Sequence, residues 1–192
     1  MNSKTKIALA MGVGAAFAFG ATTGAVAANV KRGGVLNLVV GSKIPSFDGH
    51  KESTFGMIHP IRPFYSLLMR VDPNNPQSPT AFQCDVCEGD IPTATNDGKR
   101  YTFKMKKNVT FHDGQKMTAH DVVATHNKII FPGKGVASVR KGFFGMVEKA
   151  SAPDDYTVVF DLKYASPGFL PALATPFNFV YSKADMEKHG MA

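Results

Sequence analysis

Apolar and polar positions alternate most cleanly at residues 101–106. Tyr101, Phe103 and Met105 are separated by Thr102, Lys104 and Lys106. A period of two puts these sets on opposite faces of a strand, one packed and one wet. Asn96-Asp97-Gly98 just before it has the chemistry of a hairpin-type turn, and Asp113-Gly114 tips a second turn over 111–114. Thr118-Ala119-His120-Asp121 has capping-box spacing: the Thr118 hydroxyl is placed to accept from the Asp121 N–H, and the acid favours the positive end of a helix. Ala119, Val122, Val123, His126, Ile129 and Ile130 then fall on one helical face, and Pro132-Gly133 ends it. After the turn Ala152-Pro153-Asp154-Asp155, a second half-buried strand sets Tyr156, Val158, Phe160 and Leu162 against Thr157, Val159 and Asp161.

Elsewhere the pattern is less regular. Val35-Leu36-Asn37-Leu38-Val39-Val40 is a nearly continuous apolar run between glycines and reads as a buried strand. A polar loop over 41–54 follows. Residues 55–69 carry a loose helical period at Met57, Ile58, Ile61, Phe64, Tyr65 and Leu68. Pro60 and Pro63 confine regular helix to positions around or after them, and Asp72-Pro73-Asn74-Asn75-Pro76 is a turn. Residues 167–174 read as a short irregular helix and 177–181 as an apolar strand. Residues 182–189 read as a helix with Ser182 and Asp185 in capping spacing and Gly190 as its stop. Strands and helices mix without strict βαβ alternation, which gives a mixed α/β (α+β) lobe and not a purely parallel sheet.

The front of the chain differs in kind. Lys4 and Lys6 precede an uncharged run over 7–30, whose Leu, Ile and Phe content ends at Phe19. Ala25-Val26-Ala27 is a small-x-small signal-peptidase site. Residues 1–27 thus read as a signal peptide and 28–192 as the exported domain. The run is long enough for an uncleaved anchor, but it passes into a cleavage region rather than a stop-transfer segment. No Cys follows to carry a lipid. Removal of 1–27 takes away two lysines and lowers the formal charge from +7 to +5. The densest cations, Lys99, Arg100, Lys104, Lys106 and Lys107, belong to the wet face of a strand. No basic stripe with interleaved aromatics appears, which excludes nucleic acid as a partner.

Candidate chemistry is sparse. Cys84-Asp85-Val86-Cys87 stands alone. In an oxidising compartment it is a local disulfide, a pair of free thiols or a functional pair, and bridging requires a turn there. No second Cys pair completes a thiolate zinc site, and Glu88 in place of His rules out haem attachment. His112, His120 and His126 never reach the i, i+4 spacing of two metal ligands on a helix; His126, on the apolar face, reads as a hydrogen-bonded core or edge residue. Adjacent Asp154 and Asp155 point to different sides and fit a turn better than an acid–base pair.

The block Tyr101-Thr102-Phe103-Lys104-Met105 through Val109-Thr110-Phe111-His112-Asp113-Gly114 to Thr118-Ala119-His120-Asp121-Val122-Val123 resembles the signature of family 5 extracellular solute-binding proteins. These are the dipeptide, oligopeptide and nickel-type binding proteins of ABC importers. Lys31-Arg32-Gly33-Gly34-Val35-Leu36, Pro45-Ser46-Phe47-Asp48 and Ala152-Pro153-Asp154-Asp155-Tyr156-Thr157-Val158 are similar to further segments of the family in the same order. The resemblance implies a periplasmic-binding-protein-like II fold in which two lobes close on a ligand. It implies a periplasmic location, a peptide or another small solute such as nickel or a sugar as ligand, an ABC permease in the inner membrane as partner, no cofactor and no enzymatic activity. Members are several times longer, so the chain reads as an incomplete fold lacking the second lobe. By the same resemblance, Glu52, Ser53 and Thr54 meet the ligand's amino end, and Phe143, with Phe144, lines the cleft. Cys84 to Cys87 departs from the family's wording. A small exported enzyme is the competing class, but it needs a nucleophile with a base, a carboxylate pair or a metal cluster, and the sequence displays none of these.

Overall fold

The computed structural model describes residues 33–189. The expected signal peptide, its expected cleavage site and the expected Gly190 stop lie outside the described residues. The chain divides into two units, residues up to Asn37 and residues from Leu38 onward. In the first unit residues 33–37 are exposed and free of regular structure. In the second, residues 38–40 are likewise not a strand, with Val39 97% exposed. The expected buried strand over 35–40 is therefore not formed. A run apolar on both faces becomes a strand only when neighbours supply ladder bonds and cover both sides, and no strand among the described residues pairs with it.

The centre of the second unit is a three-stranded antiparallel sheet. Its strands are β3 (Arg100–Lys104), β4 (Val147–Asp154) and β5 (Thr157–Leu162), in the order β3-β5-β4. Tyr101 lies opposite Phe160 and Phe103 opposite Val158, so the buried side chains of both strands share one face. The other face carries the Arg100–Asp161 ion pair at 2.6 Å. Helix α2 (Ala119–Ile130) covers the sheet with Ala119, Val122, His126, Ile129 and Ile130. Phe169 of α3 (Phe169–Leu173) packs on Tyr101 and Phe160, ring centres 4.8 and 5.3 Å apart. Asn96, Asp97 and Gly98 all have positive φ, as the hairpin-type turn before β3 requires. β4 was not legible in the sequence because register shifts interrupt its pairing with β5 and break its alternation.

A smaller sheet pairs β1 (Met69–Val71) with β2 (Phe82–Cys84). Here the sequence reading needs correction. Helix α1 (Phe55–Ile61) begins before Pro60 rather than after it. A proline one residue from the helix end removes one hydrogen bond and leaves the earlier turn intact. The apolar period at 64–69 is not helical; Leu67, Leu68 and Met69 lead into a strand instead. Residues 84–87 form a turn in which Cys84 and Cys87 are disulfide-bonded, Cα atoms 4.9 Å apart. Asp85 there is structural: its Oδ2 accepts from Leu67 N at 2.8 Å. The expected strand over 177–181 is not formed: Phe177 lies in a turn and 178–181 have no regular structure; Val180 N donates to Ser66 O and Tyr181 N to Thr125 Oγ1. Helix α4 (Lys183–Lys188) follows, with Ser182 Oγ accepting from Asp185 N.

Candidate functional site

Loop 46–52 is built from short-range hydrogen bonds. Ser46 Oγ accepts from Asp48 N and donates to Glu52 Oε1 at 2.7 Å, while Asp48 Oδ1 accepts from His50 N. Glu52 N in turn donates to Asp48 O. These are the local side-chain bonds by which Ser and Asp stabilise turns.

Buried side chains from elsewhere fix the loop. His50 is 1% exposed; its Nε2 is 2.8 Å from Phe179 O and its ring stacks on Tyr181 at 4.3 Å. Tyr181 Oη accepts from Gly49 N. A β-carbon at Gly49 would run into the Phe179 ring, so this position has room only for glycine. Lys128, buried on α2, places Nζ 3.3 Å from both Asp48 carboxylate oxygens and 5.3 Å from the Tyr181 ring centre.

Arg140 is the second anchor. It is 4% exposed, and its guanidinium donates to Gly49 O at 3.1 Å and Glu52 O at 2.7 Å. The same group lies over the Phe177 ring at 3.9 Å. Arg140 also N-caps the 3-10 turn Lys141–Phe144, accepting from Phe143 N through its carbonyl. One buried cation thus ties together loop 46–52, the turn that carries Phe143, and segment 176–177. Phe144 is buried in the core, while Phe143 is 58% exposed.

The electrostatics follow from this burial. Burial first, and the Lys128 charge second, hold His50 down to about 3, so the ring is neutral. Facing a carbonyl, Nε2 carries the proton and leaves Nδ1 an acceptor without a partner among the described residues. His126 is held down to about 4 by burial, with Nδ1 on Val122 O. Burial raises the Tyr181 hydroxyl and lowers the Arg140 guanidinium from their ordinary values.

Of the residues singled out from the sequence, Glu52 and Phe143 are both tied to Arg140, through Glu52 O and Phe143 N. Glu52 is half-buried with Oε1 occupied by Ser46, and Ser53 and Thr54 are exposed on the stretch leading into α1. Thr54 caps α1 through its carbonyl, which accepts from Met57 N and Ile58 N, and not through its side chain. Beside them a groove of about 860 Å³ is lined by residues including Phe55, Ile58, His59 and Phe177. His50, Lys128, Arg140 and Tyr181 were missed. One signal was available: Asp121, Thr125 and Lys128 recur at i, i+4 and i+7 and form a buried polar stripe. Asp121 Oδ1 accepts from Lys183 N, Thr125 Oγ1 from Tyr181 N, and Lys128 reaches Asp48. Among the described residues no three His, Cys, Asp or Glu side chains converge on a metal position.

The middle-region model of the bacterial extracellular solute-binding proteins, family 5, matches residues 88–190. The chain belongs to this family. The matched family 5 region holds β3, α2, β4, β5, α3 and α4, together with Lys128, Arg140 and Phe143. The probable D,D-dipeptide-binding periplasmic protein DdpA of Escherichia coli K12 is 32% identical over 105 residues, 53% of this chain and 20% of its own. The oligopeptide-binding protein AppA of Bacillus subtilis 168 is 38% identical over 92 residues, 48% of this chain and 16% of its own. The chain thus spans about a fifth or less of these relatives. The structure of Bacillus subtilis AppA in complex with a nonapeptide superposes with a TM-score of 0.63 at 26% identity, covering 75% of this chain and 27% of that one. The family 5 fold is accordingly represented here in part.

Proposed function

We propose that this chain forms one wall of the ligand cleft of an exported solute-binding protein that delivers peptides to an ABC permease in the inner membrane. The observation that carries the reading is the Arg140 clamp, which fixes the Glu52 loop and the Phe143 turn as one rim. The names of DdpA and AppA, binders of D,D-dipeptides and of oligopeptides, support peptides as the ligand class.

In this reading Glu52 Oε2, which has no hydrogen-bond donor among the described residues, accepts the ligand's ammonium group. Charge-assisted bonds of this kind are the strong ones. Ser53 and Thr54 contribute polar groups beside it, and Phe143 offers an apolar face to a side chain. The protein acts by holding a solute rather than by transforming it. Cleavage after Ala27 releases it into the periplasm.

The test is a chimera in which residues 28–189 replace the corresponding portion of AppA. The folded chimera is expected to bind a nonapeptide, and Glu52→Gln in it to weaken binding about tenfold or more, the loss of one hydrogen bond to a charged group. A folded chimera that does not bind the nonapeptide, or one that is indifferent to Glu52→Gln, would overturn the assignment.

A further inference from the structure

A second cleft, of about 620 Å³, is bounded by residues 47–48, 64–66, 109–113 and 180–189. Its chemistry runs against that of the chain. The whole sequence carries a formal charge of +7, yet no lysine or arginine lines this cleft. The titratable groups that do line it include the carboxylates of Asp48, Asp113 and Asp185 and the imidazoles of His112 and His189. Asp48 is already neutralised by Lys128, which is not part of the lining. Among the described residues Asp113 accepts only from Gln115, through its backbone N–H at 2.9 Å and its side-chain amide at 2.7 Å. The Asp185 carboxylate has no ion-pair or hydrogen-bond partner among the described residues. Among the described residues, two carboxylates therefore face the cleft without a lysine or arginine partner.

The rest of the lining is aromatic and apolar. Tyr65 and Phe111 form wall, and Phe47 and Phe64 stand beside them, each 67% exposed. Large rings left exposed around a concave surface are characteristic of binding sites. Aromatic faces attract cations through their quadrupole and also take up an apolar stem. A metal ion is a poor fit, since no three ligating side chains converge here among the described residues. An anion would meet Asp113 and Asp185 with no lysine or arginine to hold it.

We propose that this cleft binds an organic cation, an ammonium or guanidinium group on a short apolar stem. Asp113 and Asp185 act as its counter-ions, and Phe64, Tyr65 and Phe111 enclose the stem. This site is separate from the Glu52 rim and does not rest on peptide binding there.

The probe is n-pentylamine, with pentanoate and 1-pentanol as controls of the same length. Each is titrated into the ¹⁵N-labelled chain at low salt. Pentylamine is expected to give saturable shifts at 64–66, 111–113 and 181–186, with a dissociation constant on the order of millimolar for so small a ligand. Asp113→Asn with Asp185→Asn is expected to weaken it about tenfold, each exposed pair accounting for a few-fold, and added salt to weaken it further. Both carboxylates are exposed, so the variants keep the native spectrum. Binding at the rim would be read separately at residues 52–54; the shifts at 64–66, 111–113 and 181–186 are the ones that Asp113→Asn with Asp185→Asn must weaken. Equal shifts with pentanoate or pentanol would reduce the cleft to an apolar crevice. Absence of saturable shifts, or concentration-dependent self-association that buries Phe47 and Phe64, would likewise overturn the proposal.

Discussion

Loss of the Arg140 guanidinium would strand Gly49 O and Glu52 O and uncover the Phe177 ring. Arg140→Ala is therefore expected to cost about 3 kcal/mol, from two carbonyls left without donors in a mostly buried site. Arg140→Lys should recover little, because an ammonium cannot present the planar fork that reaches both carbonyls. Urea unfolding monitored by circular dichroism measures both; a loss under about 0.5 kcal/mol for the alanine variant would contradict the clamp. The two buried histidines set the acid response. Unfolded, each titrates near 6.5; folded, His50 is held to about 3 and His126 to about 4. The unfolded state therefore binds more protons throughout the interval from about 6.5 down to those values. Their stabilising effect is complete above pH 6.5 and is lost as the pH falls through that window, by about 1 kcal/mol per unit for each ring. The urea midpoint should drop between pH 7 and 4.5, and His126→Gln should flatten that drop. A midpoint independent of pH across this range would contradict the burial of both rings.

At the scale of elements, α2 depends on its first turn. Asp121 Oδ2 accepts from Thr118 N at 2.8 Å and Thr118 Oγ1 at 2.9 Å, and its Oδ1 accepts from Lys183 N at 2.8 Å. The acid thus joins the cap of α2 to the start of α4. Thr118→Ala should cost about 1 kcal/mol, an ordinary cap loss, and Asp121→Ala more, about 2–3 kcal/mol, since three donors lose a charged acceptor. Equal midpoints for the two variants would mean that the Asp121 link to α4 contributes nothing. These elements were also where the sequence spoke most clearly. β3, β5 and α2 were legible because each has one buried and one wet face, so burial prints a period of 2 or 3.6 on the residues. The 35–40 run was misread because an apolar run records a tendency to be covered and says nothing of whether a partner is present. The 64–69 stretch was misread because isolated apolar positions fit a helical period and a short buried strand equally well. In the site, Glu52 and Phe143 came from a resemblance and not from chemistry in the residues. Arg140 and Lys128 escaped notice because a cation in a sequence reads as surface until a long-range carbonyl or carboxylate accounts for its burial.

At the scale of the whole molecule, the expected leader and the proposed cleft raise separate questions. Amino-terminal sequencing of the periplasmic fraction should find Ala28 first, following the Ala25-Val26-Ala27 site; a membrane-bound chain that retains Met1 would contradict export with cleavage. The cleft is the central matter. A binding protein that closes on its ligand buries most of the ligand's surface between two walls and fixes its ends with polar groups from both. In the function proposed above the rim is one such wall, carried by a chain that spans 27% of peptide-bound AppA. Isothermal titration of the purified chain against a pool of di- to pentapeptides tests this most directly. The account predicts no binding at micromolar concentrations, and micromolar or tighter binding by a folded monomer would contradict it.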